Sequence, residues 1–429
     1  MPYLHFDEAK KAAIRTVAEW LGSVDDLERA LLVRDLFGRF RMAIWISGSA
    51  DVDRLGQSLA ERCGSWWSGE IEIMGETDEV TRNLYNDTAA QARPVADDAR
   101  FLILDRHRTR TGWFIDEDQP LWTVTEMEPP IVVFYSFKGG LGRSTSLAAF
   151  AIQRARAGER VCVLDLDLDS PGVGRLLAAD SNGLTTPWGI VDYLVEQAPP
   201  EARLGDYYHR CDRVAGSGEL TVFSAGRVDE DYADKLARVD MEDASPVRTG
   251  ALGKLLERVR DELKPQWVLL DARTGLSDSA GRLLAGVAHL HVLLGTTQDQ
   301  SWQGLTQVLN RLGKDRVERN LPQHEVLVVQ AMVPVGAEAG RLARDAFSAR
   351  AEREFTDRYY AAADGEAASF WTTDDMDSQV APHVPVAIDY EQKLADFPDI
   401  ELVADLLCTG AYAELTTRIV ERFERESDA

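Results

Sequence analysis

The chain has 429 residues, 45% of them hydrophobic and 28% charged. At ~150 residues per domain this means roughly two or three domains, able to build cores without staples and too apolar to be disordered. The formal charge, 47 basic residues against 72 acidic ones, is −25; it argues against a nucleic-acid or membrane partner and otherwise reads as a solvated surface.

None of the four cysteines, Cys63, Cys162, Cys211 and Cys408, forms a CxxC pair, so neither a zinc site nor a disulfide framework is expected. The N-terminal MPYLHFDEAKK has no apolar signal core, and no run reaches the ~18 apolar residues of a membrane span, so a cytoplasmic location is expected. No internal repeat or low-complexity tract is evident.

Residues 1–128 read as a small N-terminal α/β domain of unassigned role. Helical spacing covers Ala9–Leu21 and Val24–Phe37. Arg41–Ile46 reads as a strand and Val52–Cys63 as the helix after it. Ile71–Met74, Phe101–Leu104 and Trp113–Ile115 are short strand candidates, the last following a turn at Arg110–Gly112. The pair Trp66–Trp67 is read as packing in preference to a partner surface. The two prolines of Glu126–Pro130 stop regular structure and mark a boundary, so residues 129–429 form the second domain.

There, apolar strands alternate with helices. Ile131–Phe134, Arg160–Leu164, Leu220–Ser224, Trp267–Leu270, His289–Leu294 and Glu325–Gln330 read as strands. Ser144–Ala157, stopped by Gly158, and Leu252–Leu263, Leu276–Val287 and Trp302–Leu312 read as helices. This is an α/β pattern: a mainly parallel sheet with helices on both faces and loop sites at the strands' carboxyl ends. Farther on, Arg341–Tyr360 reads as a helix, Ala361–Asp377 as a polar loop and Val384–Ile388 as a last strand. Ile400–Cys408 and Ala411–Arg425 read as closing helices. Leu415, Ile419 and Phe423 share one face of the latter, but Glu414, Glu421, Glu424 and Glu426 crowd it, which favours packing over membrane docking.

Between strand and helix stands FYSFKGGLGRST, Phe134–Thr145. Gly139, Gly140 and Gly142 let backbone N–H groups turn into one concavity, Leu141 fills the loop, and the helix start adds a positive dipole end. Lys138 and Arg143 supply cationic side chains, and the hydroxyl of Ser144, followed by Thr145, stands where Mg²⁺ would bind beside the phosphates. VCVLDLDLDSPG, Val161–Gly172, ends a second strand with Asp165, Asp167 and Asp169. The alternative is that these aspartates cap a turn before Pro171. WVLLDARTG, Trp267–Gly275, ends four apolar residues in Asp271, the pattern of a carboxylate that holds a metal-bound water.

From Ile131 to Pro334, about half the chain, these motifs resemble the deviant Walker A ATPases of the ParA/MinD class, a P-loop NTPase fold, in a variant with KGGxGR. The resemblance implies ATP and Mg²⁺ as cofactors and a nucleotide-sandwiched homodimer. It makes Lys138 the signature lysine that reaches the partner's ATP, Asp167 the residue that positions the attacking water, and Ser144, Asp165 and Asp271 the metal site. Arg143 replaces the usual P-loop lysine, keeping the charge and able to grip two phosphate oxygens, which leaves the hydrolysis rate open. Arg273 stands where the family often has proline. Leu293–Gln300 falls where the family builds the nucleotide and dimer seam, and Gln330 where it places an adenine-reading amide. The implied function is a slowly hydrolysing dimerisation switch for an unidentified protein partner, in a regulatory or bacterial conflict setting. Alternatives are a non-hydrolysing nucleotide-binding scaffold and a bacterial-type tyrosine kinase; the latter lacks its C-terminal tyrosine cluster in LTTRIVERFERESDA, and −25 argues against a DNA-coating partition protein.

Overall fold

A computed structural model of the chain describes residues 4–24, 26–47, 51–95, 98–107, 112–113, 119–125, 127–196, 202–239, 250–362 and 371–424. Contacts divide the chain into two units, residues 1–109 and 110–429. The division falls before the Glu126–Pro130 stop. Leu121 and Trp122 pack in the second unit's core, and Trp122 Nε1 donates to the Pro129 carbonyl at 2.7 Å.

In the first unit, helix α1 (Phe6–Leu21) precedes strand β1 (Leu27–Arg34). The strand occupies most of the segment expected to be helical. Ala30 and Leu32 pack on one side of the sheet and Leu31 and Val33 on the other. A strand buried on both faces shows no polar alternation, and tertiary packing overrides the helical preference of leucine and alanine. The Asp35 carboxylate accepts from Phe37 N and Arg39 N and Gly38 has φ 82°, so the chain turns into the antiparallel strand β2 (Phe40–Ile46). Helix α2 (Val52–Cys63), β3 (Trp67–Ile73), helix α3 (Glu79–Ala90), β4 (Arg93–Val95) and β5 (Asp98–Asp105) complete a sheet ordered β3-β2-β1-β5-β4. Trp66 and Trp67 pack against the core, and Trp66 Nε1 donates to the Leu4 carbonyl at 2.8 Å. Of Trp113–Ile115, residues 114 and 115 lie outside the described residues.

The second unit is an eight-stranded sheet. Its strands are β6 (Ile131–Ser136), β7 (Arg160–Leu166), β8 (His209–Arg210), β9 (Glu219–Phe223), β10 (Trp267–Ala272), β11 (Leu290–Gly295), β12 (Val326–Val333) and β13 (Val386–Asp389). They run in the order β13-β12-β11-β6-β10-β7-β9-β8, parallel except for β8. Buried apolar residues line both faces. Ile131, Val133 and Tyr135 of β6 face helices Asp299–Leu312 and Ala337–Arg358; Val132 and Phe134 face helix α4 (Arg143–Arg156) and helix Gly410–Glu424. The fold class is therefore the expected one. The strands read as continuous apolar runs because helices cover the sheet on both sides.

Leu415 and Ile419 are fully buried and the Phe423 ring meets Trp267 edge-on at 5.6 Å, so the terminal helix is a packing helix. The Leu276–Val287 helix is shorter than expected, Asp278–Leu283. Ile400–Cys408 forms two 3₁₀ turns instead of one helix. Within the expected loop Ala361–Asp377, Thr373–Asp377 is also a 3₁₀ turn, and residues 363–370 lie outside the described residues. Among the described residues no helix is long and apolar enough to cross a membrane.

Candidate functional site

The strand order puts β6, β10 and β7 side by side, so their carboxyl ends meet. Register pairs Asp271 with Asp165 across β10 and β7, and with Phe134 across β10 and β6. Parallel strands thus bring residues about a hundred positions apart to one edge, where ligands of open α/β sheets bind.

The glycine loop leaves β6 and enters α4. Gly140 (φ 75°) and Gly142 (φ 76°, the residue preceding the helix) take left-handed backbone that side chains rarely tolerate. Chain neighbours aside, no atom of the described residues lies within 4 Å of a Cβ built on Gly139, Gly140 or Gly142, so the loop faces open space. No side chain caps the start of α4, which leaves its first amide groups available to an anion. The Ser136 hydroxyl donates to the Lys138 carbonyl at 2.8 Å, and the Tyr135 hydroxyl donates to the Gly275 carbonyl at 3.0 Å, tying the end of β6 to the segment after β10. Lys138 is exposed, its Nζ 5.8 Å from the Phe137 ring centroid. Leu141 packs against the core under α4, and Thr145 is half-buried in the helix's first turn.

Arg143, Ser144, Asp167 and Asp271 converge. Arg143 is 8% exposed and Asp271 fully buried. Arg143 Nε donates to Asp271 Oδ1 at 2.6 Å; its Nη2 donates to Asp167 Oδ2 at 2.8 Å and to Asp271 Oδ2 at 3.4 Å. The Ser144 hydroxyl donates to Asp271 Oδ2 at 2.6 Å. Burial pushes the Asp271 carboxyl above the usual carboxylate range, with Arg143 pulling the other way. Asp165 stands apart. Its Oδ2 accepts from the amides of Gly172 and Gly174 at 3.0 and 3.1 Å, tying the end of β7 to the segment after Pro171. Burial, with Asp271 adding repulsion, raises its carboxyl to about 7. Asp169 pairs with Arg273, joining the loops that follow β7 and β10.

Gln330 is not gathered into this cluster. It is 1% exposed on β12, and its Nε2 donates to the Ala343 carbonyl at 2.9 Å. One contact was invisible in the sequence: a Cβ on Gly304, in helix Asp299–Leu312, would sit 1.9 Å from Phe137 Cγ. The Phe137 ring therefore lies flush on that helix and fixes the loop's entry. Gly304→Ala forces the ring out, with an overpacking cost of about 1–3 kcal/mol. Thermal unfolding is expected to show that loss; an unchanged unfolding temperature would mean that the ring is not seated there.

A nucleotide with Mg²⁺ fits these residues. The donors are hard oxygens, and Asp165 Oδ1 and Asp167 Oδ1 are buried without a hydrogen-bond partner. One guanidinium is shared by two carboxylates, Asp167 and Asp271, an excess of negative charge that a divalent cation would balance. Among the described residues no cluster of three His, Cys, Asp or Glu forms a metal cage.

No family model matches the chain. It is 32% identical over 169 residues to the cytosolic Fe–S cluster assembly factor CFD1 of Chaetomium globosum, covering 38% of this chain and 50% of that protein. It is 31% identical over 148 residues to the Neurospora crassa counterpart, covering 34% and 43%. The chain thus spans half or less of the length of these curated relatives. Among solved structures it resembles pNOB8 ParA bound to nonspecific DNA (TM-score 0.47, 14% identity, 70% of this chain and 99% of that one). It also resembles the Pyrococcus horikoshii septum site-determining protein MinD complexed with Mg-ADP (TM-score 0.35, 18% identity, 51% and 77%). These structural likenesses are too distant to bear on function.

Proposed function

We propose that the second unit is an ATP-binding, slowly hydrolysing nucleotide switch that pairs two copies of the chain and signals to a protein partner. The observation that carries this reading is the open glycine loop running into α4 beside a Ser144 hydroxyl held 2.6 Å from Asp271. The loop amides would bind the phosphates, and Ser144 with Asp271 would hold Mg²⁺, with Asp165 and Asp167 adding negative charge behind it. Bound there, Mg²⁺ would neutralise the phosphate oxygens. Asp167 Oδ1, buried and without a partner, is the oxygen available to orient a water. Lys138, exposed at the mouth of the loop, is free to reach a second copy's nucleotide.

The experiment is a mass measurement by light scattering. The chain with ATP and Mg²⁺ should have twice its nucleotide-free mass; an unchanged mass with ATP bound would reject the switch. A scaffold that binds without hydrolysing is the second reading, because Arg143 pairs with Asp167, the residue meant to serve the water. Phosphate release no faster than that of Asp167→Ala would favour it.

The relatives' iron–sulfur role is not carried over. Clusters are held by cysteine thiolates, and here Cys63, Cys162 and Cys211 are buried. Burial lifts the thiols of Cys63 and Cys211 to about 11 and raises that of Cys162 as well.

A further inference from the structure

Both oxygens of Asp271 are engaged. Arg143 Nε takes Oδ1, and Ser144 with Arg143 Nη2 takes Oδ2. The same guanidinium holds Oδ2 of Asp167. Arg143 thus stands against Asp271, the carboxylate that would hold a metal with Ser144, and against Asp167 beside it, with all three of these side chains buried. Its third nitrogen, Nη1, is buried and has no acceptor.

We propose that Arg143 competes with the divalent cation for Asp271 and Asp167, so that the metal enters only as the nucleotide draws the guanidinium onto its phosphates. This rests on the nucleotide reading above. The reasoning is electrostatic. Metal arriving alone would strip a buried guanidinium of its partners, and an unpaired buried charge is costly. A triphosphate removes that penalty, because its oxygens accept the planar fork in pairs. Each cation then has its own anion, and the metal and the nucleotide bind with positive coupling. A lysine at this position would be a compact point charge without the fork that spans two carboxylates. An arginine at this position therefore couples the two ligands more strongly than a lysine would.

The test uses the full chain with Mn²⁺ as probe, its free concentration read by electron paramagnetic resonance. Wild type should bind Mn²⁺ alone weakly and at least about tenfold more tightly with a non-hydrolysable ATP analogue. Arg143→Ala should bind Mn²⁺ alone at least about tenfold more tightly than wild type and lose most of the nucleotide enhancement. Arg143→Lys should fall between. Near-ultraviolet circular dichroism checks folding, and Arg143→Gln, which keeps an amide donor for the carboxylates, replaces the alanine variant if that one does not fold. Equal affinity for Mn²⁺ alone in wild type and the folded variants overturns the proposal, as does wild type binding Mn²⁺ equally with and without the analogue. The reading beneath it fails separately: it falls if the analogue binds wild type neither with Mn²⁺ nor without it.

Discussion

Asp271→Ala is expected to be the most damaging single change in the second unit. It removes the acceptor of Arg143 Nε and of the Ser144 hydroxyl and leaves a guanidinium in a site with 8% exposure. Deleting one partner of a buried ion pair costs about 3–5 kcal/mol, and the surviving bond to Asp167 puts this case near the lower end, at about 3 kcal/mol. On the proposed function phosphate release should fall by about a hundredfold or more, because the carboxylate that would hold the metal at the reacting phosphate is lost. Asp167→Ala is the informative comparison. Arg143 then keeps both contacts with Asp271, so the unfolding midpoint should drop less while phosphate release still falls. Were the two variants equally stable, Arg143 would not depend on Asp271 as the distances indicate.

Lys138→Ala should behave in the opposite way. The side chain is exposed and has no ion pair among the described residues, its Nζ lying 5.8 Å from the Phe137 ring centroid. Its removal should leave stability within about 0.5 kcal/mol, the usual range for a surface change. Nucleotide should still bind through the loop amides, yet the ATP-dependent doubling of mass should vanish. Dimers that persist in the variant would take Lys138 out of the pairing. Loss of nucleotide binding along with the dimers would place the lysine in the chain's own pocket instead.

The site was legible where chemistry and backbone coincide. Gly140 and Gly142 are dictated by left-handed backbone, and Asp271 and Asp165 stand at the ends of apolar runs that parallel pairing places side by side. The direction in which a side chain turns was not legible. Arg143 has the length to meet either a phosphate or Asp271, and only the packing of α4 against β10 brings it onto Asp271. Asp165 matched the metal-site pattern, but the amides of Gly172 and Gly174 claim one of its oxygens. The contact of Phe137 with Gly304 joins residues far apart in the chain, and no local pattern announces it. In the first unit, LERALLVR carries apolar residues at every spacing, which suits a strand buried on both sides as well as a helix.

Whether the glycine loop captures a magnesium-bound triphosphate is settled by titrating ATP with Mg²⁺ into the full chain in a calorimeter. Saturable heat at one nucleotide per chain, with a raised unfolding temperature in excess ATP, is the expected result. A folded chain that gives neither heat nor added thermal stability would contradict it.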